Sequence, residues 1–306
     1  MKRIVLIVFL FVATLAGIAQ KKVAFTIDDV PNSKLYQRQG FHNNLLAKID
    51  SLQLPVTIFI NEARLFDTDS LVKNVRALSN WARDPLVTLG NHTYSHGMYS
   101  AEGLESFKMD VIKGEYLTRE IARQQHKPLQ YFRFPYNDLG TDSTQHVQSL
   151  AFISSLHYIN TPFTVHSEDW FVERLYTYYK EHQMQKDAER IGKAFVAKTL
   201  EYFQYTDDLM KQQTGREVKH IYLMHDNTLN ADYLGELIQA LKKKGYQFIT
   251  LDDAMTDPIY SQADSYTEKN GISWVYRWIK DRQERERLIG KGPNIHDFEM
   301  EMDKLK

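Results

Sequence analysis

Patterns typical of buried strands and of amphipathic helices alternate along most of this chain. Seven short apolar runs have the composition of buried strands, and they cover residues 23–27, 56–60, 86–89, 131–134, 163–165, 221–224 and 248–251. The clearest helical stripe ends at Gly245 and consists of Leu234, Leu237, Ile238 and Leu241. This alternation predicts parallel strands with helices outside them, and seven strands over this length favour a closed or nearly closed barrel.

The first predicted strand ends on two adjacent carboxylates, Asp28 and Asp29. Neighbouring carboxylates repel each other and lose water at a strand tip, so the pair is favourable only if a cation lies between them or one holds a proton. We predict a divalent metal bound by Asp29 and by two later histidines, with Asp28 free as a base. The alternative for this fragment alone is a turn that the two aspartates initiate before Pro31 and Asn32.

Two histidines, His92 and His96, follow the third predicted strand and Gly90. Imidazoles four residues apart can bind one metal ion, although chance pairs at this spacing are common. With Asp29 they would offer two nitrogens and one oxygen, which leaves positions for water and substrate. This donor set is typical of a catalytic divalent site. Zn²⁺ suits it best, with Co²⁺ or another divalent ion as alternatives.

An arginine and a Pro-Tyr pair come at the end of the fourth predicted strand. At the mouth of a barrel that holds carboxylates, Arg133 would pair with Asp28 and keep it ionised and oriented. Pro135 rigidifies the turn, so the backbone N–H of Tyr136 would face a developing oxyanion. The alternative is a surface arginine followed by an ordinary turn.

The sixth predicted strand ends near His225, and Asp169 follows the fifth. A histidine at a strand tip can act as a general acid when an acidic group supports it. We therefore expect Asp169 to pair with His225. A structural histidine with satisfied hydrogen bonds is the alternative.

Taken together, these fragments resemble the polysaccharide deacetylase family, which has the NodB homology domain and is also called carbohydrate esterase family 4. The resemblance covers roughly residues 22–251, and five motifs appear in the family's order. The matching stretches are residues 26–29, 92–96, 133–136, 167–170 and 223–225. Five ordered matches are far more specific than any one of them.

This resemblance implies an α/β fold, a distorted (β/α)₇ barrel, and metal-dependent removal of N- or O-acetyl groups from a glycan of the chitin, peptidoglycan or xylan type. It implies a catalytic group in which Asp28 is the base, His225 is the acid, Asp169 tunes that acid and Arg133 orients the base. It implies the metal ligands Asp29, His92 and His96. It also implies substrate and oxyanion contacts at Tyr136, Trp170 and Leu223.

The chain departs from the family pattern at two positions. Val30 and Pro31 stand where the family usually has glycine after the aspartate pair, which predicts a differently shaped loop against the substrate. His166 stands where the fourth motif usually begins with aspartate; it would be a spare acid, a substrate contact or a structural neighbour of the acid. Two rival functions remain: a metal-dependent C–N hydrolase acting on a small non-glycan amide, and a non-catalytic glycan-binding protein.

The first residues are typical of a secretory signal peptide. Lys2 and Arg3 precede an apolar run at residues 4–16, and the small residues Gly17 and Ala19 follow it. We expect cleavage after Ala19 and export to the periplasm or the extracellular space. The alternative is an uncleaved anchor, but the apolar run is short for a stable membrane span.

Composition narrows the classes of partner. The chain has no cysteine, which excludes disulfides, thiolate metal sites and lipid attachment at the signal junction. Its formal charge is −1, from 38 basic and 39 acidic residues, and loss of Lys2 and Arg3 would leave 36 against 39, or −3. No basic stripe stands out, so nucleic acid and anionic membranes are poor candidates, and an acetylated oligo- or polysaccharide is the expected partner. The oligomeric state does not follow from the sequence.

We divide the chain into residues 1–19 as signal peptide, 20–256 as a single barrel domain and 257–306 as a C-terminal helical extension. Residues 170–213 are rich in tyrosine and predict two helices interrupted near Gln185; we expect them to cap the mouth of the barrel.

The extension begins with a predicted helix whose apolar side should dock on the barrel. That side consists of Ile272, Trp274, Val275, Trp278 and Ile279. Packing of the two tryptophans is favoured over stacking on a ligand. Residues 281–287 are almost entirely charged, so we expect them to continue this helix into solvent.

Overall fold

The computed structural model describes residues 20–269 and 271–305. The predicted signal peptide and its cleavage site after Ala19 lie outside the described residues. No helix within the described part of the chain has the length and apolar character needed to cross a membrane.

The strands form one parallel sheet. They are β1 (Lys21–Val30), β2 (Val56–Ile60), β3 (Val87–Asn91), β4 (Leu129–Phe132), β5 (Ile159–Asn160), β6 (Val165–His166), β7 (Lys219–His225) and β8 (Tyr246–Ile249). Seven of them follow the order β5-β4-β3-β2-β1-β7-β6, and β8 pairs with the first half of β1. Among the described strands, β5 and β6 end this path without pairing with each other, so the barrel is a half-barrel. The predicted fold, a distorted (β/α)₇ barrel in a single domain, is confirmed.

Helices cover the outside of this sheet. They are α1 (Ser33–Arg38), α2 (Asn44–Leu52), α3 (Leu71–Arg83), α4 (Tyr99–Glu102), α5 (Leu104–Lys113), α6 (Tyr116–Gln124), α7 (Ser143–Ser155), α8 (Asp169–Glu181), α9 (Gln185–Thr214), α10 (Thr228–Lys243), α11 (Leu251–Met255), α12 (Trp274–Arg277), α13 (Arg282–Lys291) and α14 (His296–Asp303). Short 3₁₀ turns at Glu62–Phe66, Pro135–Asn137 and Pro258–Ser261 complete the set. Gly245 has a φ of 87° just after α10, as its predicted role at the end of that helix requires.

β1 is the central strand and explains why polar groups meet at one end of the sheet. Val23, Ala24, Phe25 and Ile27 are each no more than 1% exposed, because helices cover one face and barrel side chains the other. β7 pairs with β1 in parallel along its length, and Asp28 lies opposite His225 in this register. The carboxyl ends of parallel strands share one edge, so the groups that follow them converge.

The predicted fifth strand, residues 163–165, was wrong in its bounds. The chain instead makes two shorter strands, β5 and β6, and leaves the sheet between them. Phe163 departs from the ladder because its carbonyl accepts a hydrogen bond from the backbone N–H of Trp274, at 3.1 Å. The C-terminal extension thus supplies a bond where a strand neighbour would otherwise do so.

The tyrosine-rich segment forms two helices, α8 and α9, separated near Gln185 as predicted. The expectation that it caps the barrel mouth was wrong for most of its length. The buried residues Tyr176 and Tyr179 belong to the main hydrophobic core, and α8 and α9 pack on each other and on α10. Only Trp170, at the start of α8, reaches the mouth. An apolar helix face gains more by covering the flank of the barrel than by standing over a polar opening.

The extension packs on the barrel, but not as one helix. α12 ends at Arg277, and α13 begins only at Arg282. Trp274 and Trp278 are buried in a core cluster with residues of the barrel, which supports the packing interpretation. The charged stretch is not wholly solvated, because the guanidinium of Arg285 is buried and donates to the carbonyl of Ile279 at 3.0 Å. The domain boundary at residue 256 stays a prediction.

Candidate active site

A cavity of about 570 Å³ opens at the carboxyl ends of the strands, and we call it the mouth pocket. It collects side chains that lie far apart in the sequence. All ten site residues predicted from the sequence line it: Asp28, Asp29, His92, His96, Arg133, Tyr136, Asp169, Trp170, Leu223 and His225.

The backbone at Asp29 brings both aspartates into this pocket. Side chains of successive strand residues normally point to opposite faces of a sheet. Asp29 has a left-handed φ of 66°, which breaks that alternation. One ligand atom from each of Asp29, His92 and His96 lies within 4.8 Å of the others. The Oδ1 of Asp29 is buried without a hydrogen-bond donor, and the Nε2 of His96 lies 3.5 Å from it.

Both histidines of this cluster are in the form that binds metals. Burial lowers the pKa of His92 and lowers that of His96 to about 4, so both rings are neutral at pH 7. The Nδ1 of His92 lies 2.7 Å from the backbone carbonyl oxygen of Arg133, which can only accept a hydrogen bond, so Nδ1 carries the proton and donates. The lone pair of His92 is therefore on Nε2. An orphaned carboxylate oxygen beside neutral imidazoles fits a divalent cation.

The loop that carries the histidines is held by the helix behind it. The backbone carbonyl of Asp110, in α5, accepts a hydrogen bond from the backbone N–H of Tyr94. The carboxylate of Asp110 accepts hydrogen bonds from the backbone N–H and the hydroxyl of Ser95. At Gly114 an added Cβ would lie 2.4 Å from the backbone of Thr93. Gly114 lies between α5 and α6, and its lack of a side chain lets the histidine loop approach the backbone there.

Asp28 lies beside this cluster and is paired with a buried arginine. The Nη1 of Arg133 donates to Asp28 Oδ1 at 2.7 Å and to Thr26 Oγ1 at 2.7 Å. The guanidinium also lies 4.3 Å from the centre of the Phe59 ring. The second oxygen of Asp28 is 3.7 Å from His92 Nε2. Arg133 thus fixes one oxygen of the carboxylate and leaves the other facing the pocket.

His225 stands across the pocket in the opposite protonation state from the other two histidines. Asp169 Oδ1 lies 2.8 Å from its Nδ1, and Asp169 Oδ2 accepts from its backbone N–H at 2.8 Å. Burial alone would lower the pKa of His225, but the charge and hydrogen bond of Asp169 outweigh it and raise the pKa to about 9. His225 is therefore an imidazolium at pH 7. Asp169 Oδ2 also accepts hydrogen bonds from the side-chain amides of Asn227, at 2.9 Å, and Asn230, at 2.6 Å.

Aromatic side chains form part of the rim. Tyr136 has a left-handed φ of 56°, is 54% exposed and packs its ring edgewise on His96, with centroids 4.5 Å apart. Trp170 is 51% exposed, and its indole N–H donates to Glu168 Oε2 at 2.7 Å. The indole is thus fixed in orientation while one side stays open to the pocket.

The two departures from the family pattern have local explanations. His166 lines the pocket and its Nδ1 lies 3.1 Å from Glu168 Oε1, so Glu168 supplies a negative charge near the position where the family has aspartate. The loop after Val30 is tied to the end of β7, because Asp226 accepts from the backbone N–H of Asn32 at 3.0 Å. The role of His166 in substrate binding stays a prediction.

Two charged residues that line the pocket, Arg64 and Glu168, were not predicted from the sequence as site residues. Arg64, in the 3₁₀ turn after β2, places Nη2 2.7 Å from Asp29 Oδ2. A signal existed, since Arg64 follows a buried strand just as the other site residues do. Because Arg64 occupies one oxygen of Asp29, the carboxylate offers a cation its other oxygen, Oδ1.

We expect Arg64→Met to weaken binding of Zn²⁺ or Co²⁺ by about 10- to 100-fold, because groups that orient a metal ligand typically contribute that much affinity. Calorimetric titration of metal-free protein measures it, and the Co²⁺ absorption spectrum reports the change in ligand geometry. Arg76→Met, at an exposed position of α3, is the matched control. Equal or tighter binding by Arg64→Met would show that Arg64 chiefly repels the cation.

The fold resembles solved structures of a CE4 family pseudoenzyme from Bacillus anthracis. The wild-type protein is 15% identical, with a TM-score of 0.51 over 78% of this chain and 66% of that one. A mutant of it with restored enzymatic activity is 16% identical, with a TM-score of 0.51 over 78% and 68%. The peptidoglycan deacetylase PdaC from Bacillus subtilis is 19% identical over 77% of this chain and 92% of its own, with a TM-score of 0.47. At these identities the likeness is one of fold.

Residues 17–153 match the family model for polysaccharide deacetylases. The matched span contains the first three sequence motifs, and the motifs at residues 167–170 and 223–225 lie beyond it. No curated protein sequence matches the chain significantly. This match to part of the chain confirms the resemblance to polysaccharide deacetylases that the sequence motifs carry.

Proposed function

We propose that this protein is a metal-dependent hydrolase that removes N- or O-acetyl groups from a glycan. The observation that carries the proposal is the convergence of Asp29, His92 and His96 within 4.8 Å, with Asp28 beside them. His225 faces the same pocket as an imidazolium. A base, an acid and a set of metal ligands in one cavity are the groups that hydrolysis of an acetyl bond requires.

Asp29, His92 and His96 would hold the cation, and Zn²⁺ or Co²⁺ suits their two nitrogens and one oxygen. When bound, a divalent ion lowers the pKa of water and polarises a carbonyl group. Arg133 pairs with Asp28 and orients it in the pocket, through the 2.7 Å hydrogen bond to Oδ1. The free oxygen of Asp28 can then take a proton from the attacking water.

The remaining steps fall to groups on the other sides of the pocket. The backbone N–H of Tyr136 donates to the oxyanion that forms when water adds to the acetyl carbonyl. His225 delivers its Nε2 proton to the leaving amine or alkoxide, and Asp169 stabilises the charged ring until that transfer. The products are acetate and a free amino or hydroxyl group on the sugar.

A glycan substrate is favoured by the shape and lining of the pocket. Trp170 and Tyr136 present half-exposed aromatic surface at its rim, which suits contact with the apolar face of a sugar ring. Leu223 lies among the polar groups and suits the acetyl methyl. We also infer export through the predicted signal peptide, since chitin-, peptidoglycan- or xylan-type glycans lie outside the cytoplasm.

Acetate release from chitin, peptidoglycan and xylan fragments, with and without added divalent ions, tests this proposal. We expect metal-dependent release from at least one glycan. Cleavage of a small amide with no release from any acetylated sugar would favour the C–N hydrolase alternative. Glycan binding by metal-loaded protein without release would favour a binding protein, a class made relevant by the pseudoenzyme of similar fold.

A further inference from the structure

The C-terminal extension reaches the mouth pocket. Gly271 lines the pocket, although it lies more than a hundred residues beyond the family match. The adjoining residues 272–277 contact the turn after β4 that carries Tyr136. We call this stretch, residues 271–277, the tail clamp.

The tail clamp binds Asn137, the residue that follows Tyr136. The side-chain amide of Asn137 donates to the carbonyl of Ile272 at 2.5 Å and accepts from the indole N–H of Trp274 at 3.1 Å. Arg277 donates to the backbone carbonyl of Asn137 at 3.4 Å. Both the side chain and the backbone of Asn137 are therefore held by the extension.

The tail clamp is itself fixed to the barrel where the sheet is open. Ser273 Oγ donates to the carbonyl of Thr164 at 2.8 Å, and the backbone N–H of Trp274 donates to that of Phe163 at 3.1 Å. Both acceptors lie between β5 and β6, the two ends of the half-barrel. The guanidinium of Arg277 is buried, binds Asp264 at 3.1 Å and lies 4.8 Å from the Trp274 ring centre.

The conformation that the tail clamp holds is an unfavourable one for residues with side chains. Tyr136 and Asn137 are consecutive and have left-handed φ values of 56° and 52°. Gly271 lies so close that an added Cβ would stand 1.8 Å from the carbonyl oxygen of Tyr136 and 2.6 Å from Asn137 Cβ. The turn and the glycine are thus in direct contact.

We propose that the tail clamp is part of the active site. It holds the turn after β4 in its left-handed conformation, so that the Tyr136 N–H points to the acetyl oxygen and Gly271 forms one wall of the pocket. Residues 271–277 act by positioning and touch no reacting atom. This inference rests on the proposed function for the role of that N–H, but the contacts themselves do not depend on it.

Gly271→Ala tests the proposal, with Gly290→Ala as its matched control, because an added Cβ at Gly290 meets no atom within 4 Å. We expect Gly271→Ala to lower kcat for acetate release at least tenfold, with Zn²⁺ affinity and KM within threefold of wild type. Amide hydrogen exchange at residues 133–138 should become faster in this variant and stay unchanged in the control. Asn137→Ala removes the two side-chain hydrogen bonds to Ile272 and Trp274 without adding a clash. This variant should also have a lower kcat, with KM and Zn²⁺ affinity close to those of the wild type.

An unchanged kcat in both Gly271→Ala and Asn137→Ala, with wild-type enzyme active, would overturn the proposal and leave the proposed function intact. If the wild-type enzyme releases no acetate from any substrate, the proposed function fails instead. Hydrogen exchange then tests the tail clamp independently of activity. Unchanged amide exchange at residues 133–138 in both variants would overturn the proposal that the tail clamp holds this turn.

Discussion

Asp28→Asn is expected to lower acetate release by about 10³-fold or more while the protein still binds its metal. The asparagine oxygen can keep the 2.7 Å hydrogen bond from Arg133 Nη1, so the buried arginine retains an acceptor. A neutral amide cannot take a proton from water, however. The metal ligands Asp29, His92 and His96 are unchanged in this variant.

Initial rates of acetate release and bound metal per chain measure these two effects on the same sample. Glu105→Gln, on the exposed side of α5, is the matched carboxylate-to-amide control and should keep the wild-type rate. Near wild-type activity of Asp28→Asn would show that another group is the base. Loss of metal along with activity would place Asp28 among the ligands.

Asp169→Asn is expected to lower the rate about 10²- to 10⁴-fold and to move the alkaline limb of the pH–rate profile to lower pH. Burial favours the neutral ring of His225, and the charge of Asp169 is what outweighs burial and raises its pKa to about 9. Without that charge, His225 loses its proton at lower pH and no longer serves as an acid near neutrality.

The same pair gives a stability prediction with a definite sign. The pKa of His225 rises from the ordinary 6.5 to about 9 on folding, so the stabilisation from the pair is complete below pH 6.5 and is lost as the pH rises through 9. Denaturant unfolding of wild type and Asp169→Asn from pH 6 to 10 measures it. If wild type and Asp169→Asn differed in unfolding free energy by the same amount at every pH, the stabilisation would not come from this ion pair. An alkaline limb of the pH–rate profile that stays in place in Asp169→Asn would likewise show that Asp169 does not raise the pKa of His225.

The features that the sequence predicted well are those set by local pattern. The apolar run before Asp28 forms a strand because β-branched and aromatic residues can be buried on both faces of a sheet. Parallel strands then carry their carboxyl ends to one edge, so residues that follow them meet without further information. This is why groups as distant as Asp29 and His225 were correctly expected in one pocket.

The features that the sequence did not predict depend on contacts between distant segments. Phe163 leaves the sheet because Trp274 supplies its hydrogen bond, and no local pattern records that exchange. The approach of Gly271 to Tyr136 is likewise a tertiary event. Arg64 is a different case. Its position after a buried strand could be recognised in the sequence, but its ion pair with Asp29 could not.

If the proposed function holds, one divalent ion bound by Asp29, His92 and His96 is required for hydrolysis in the mouth pocket. Metal-free protein titrated with Zn²⁺, while acetate release from the best glycan is followed, tests it most directly. We expect no acetate release without metal and a rate that rises to a plateau at one ion per chain. Undiminished release after complete removal of metal would contradict it.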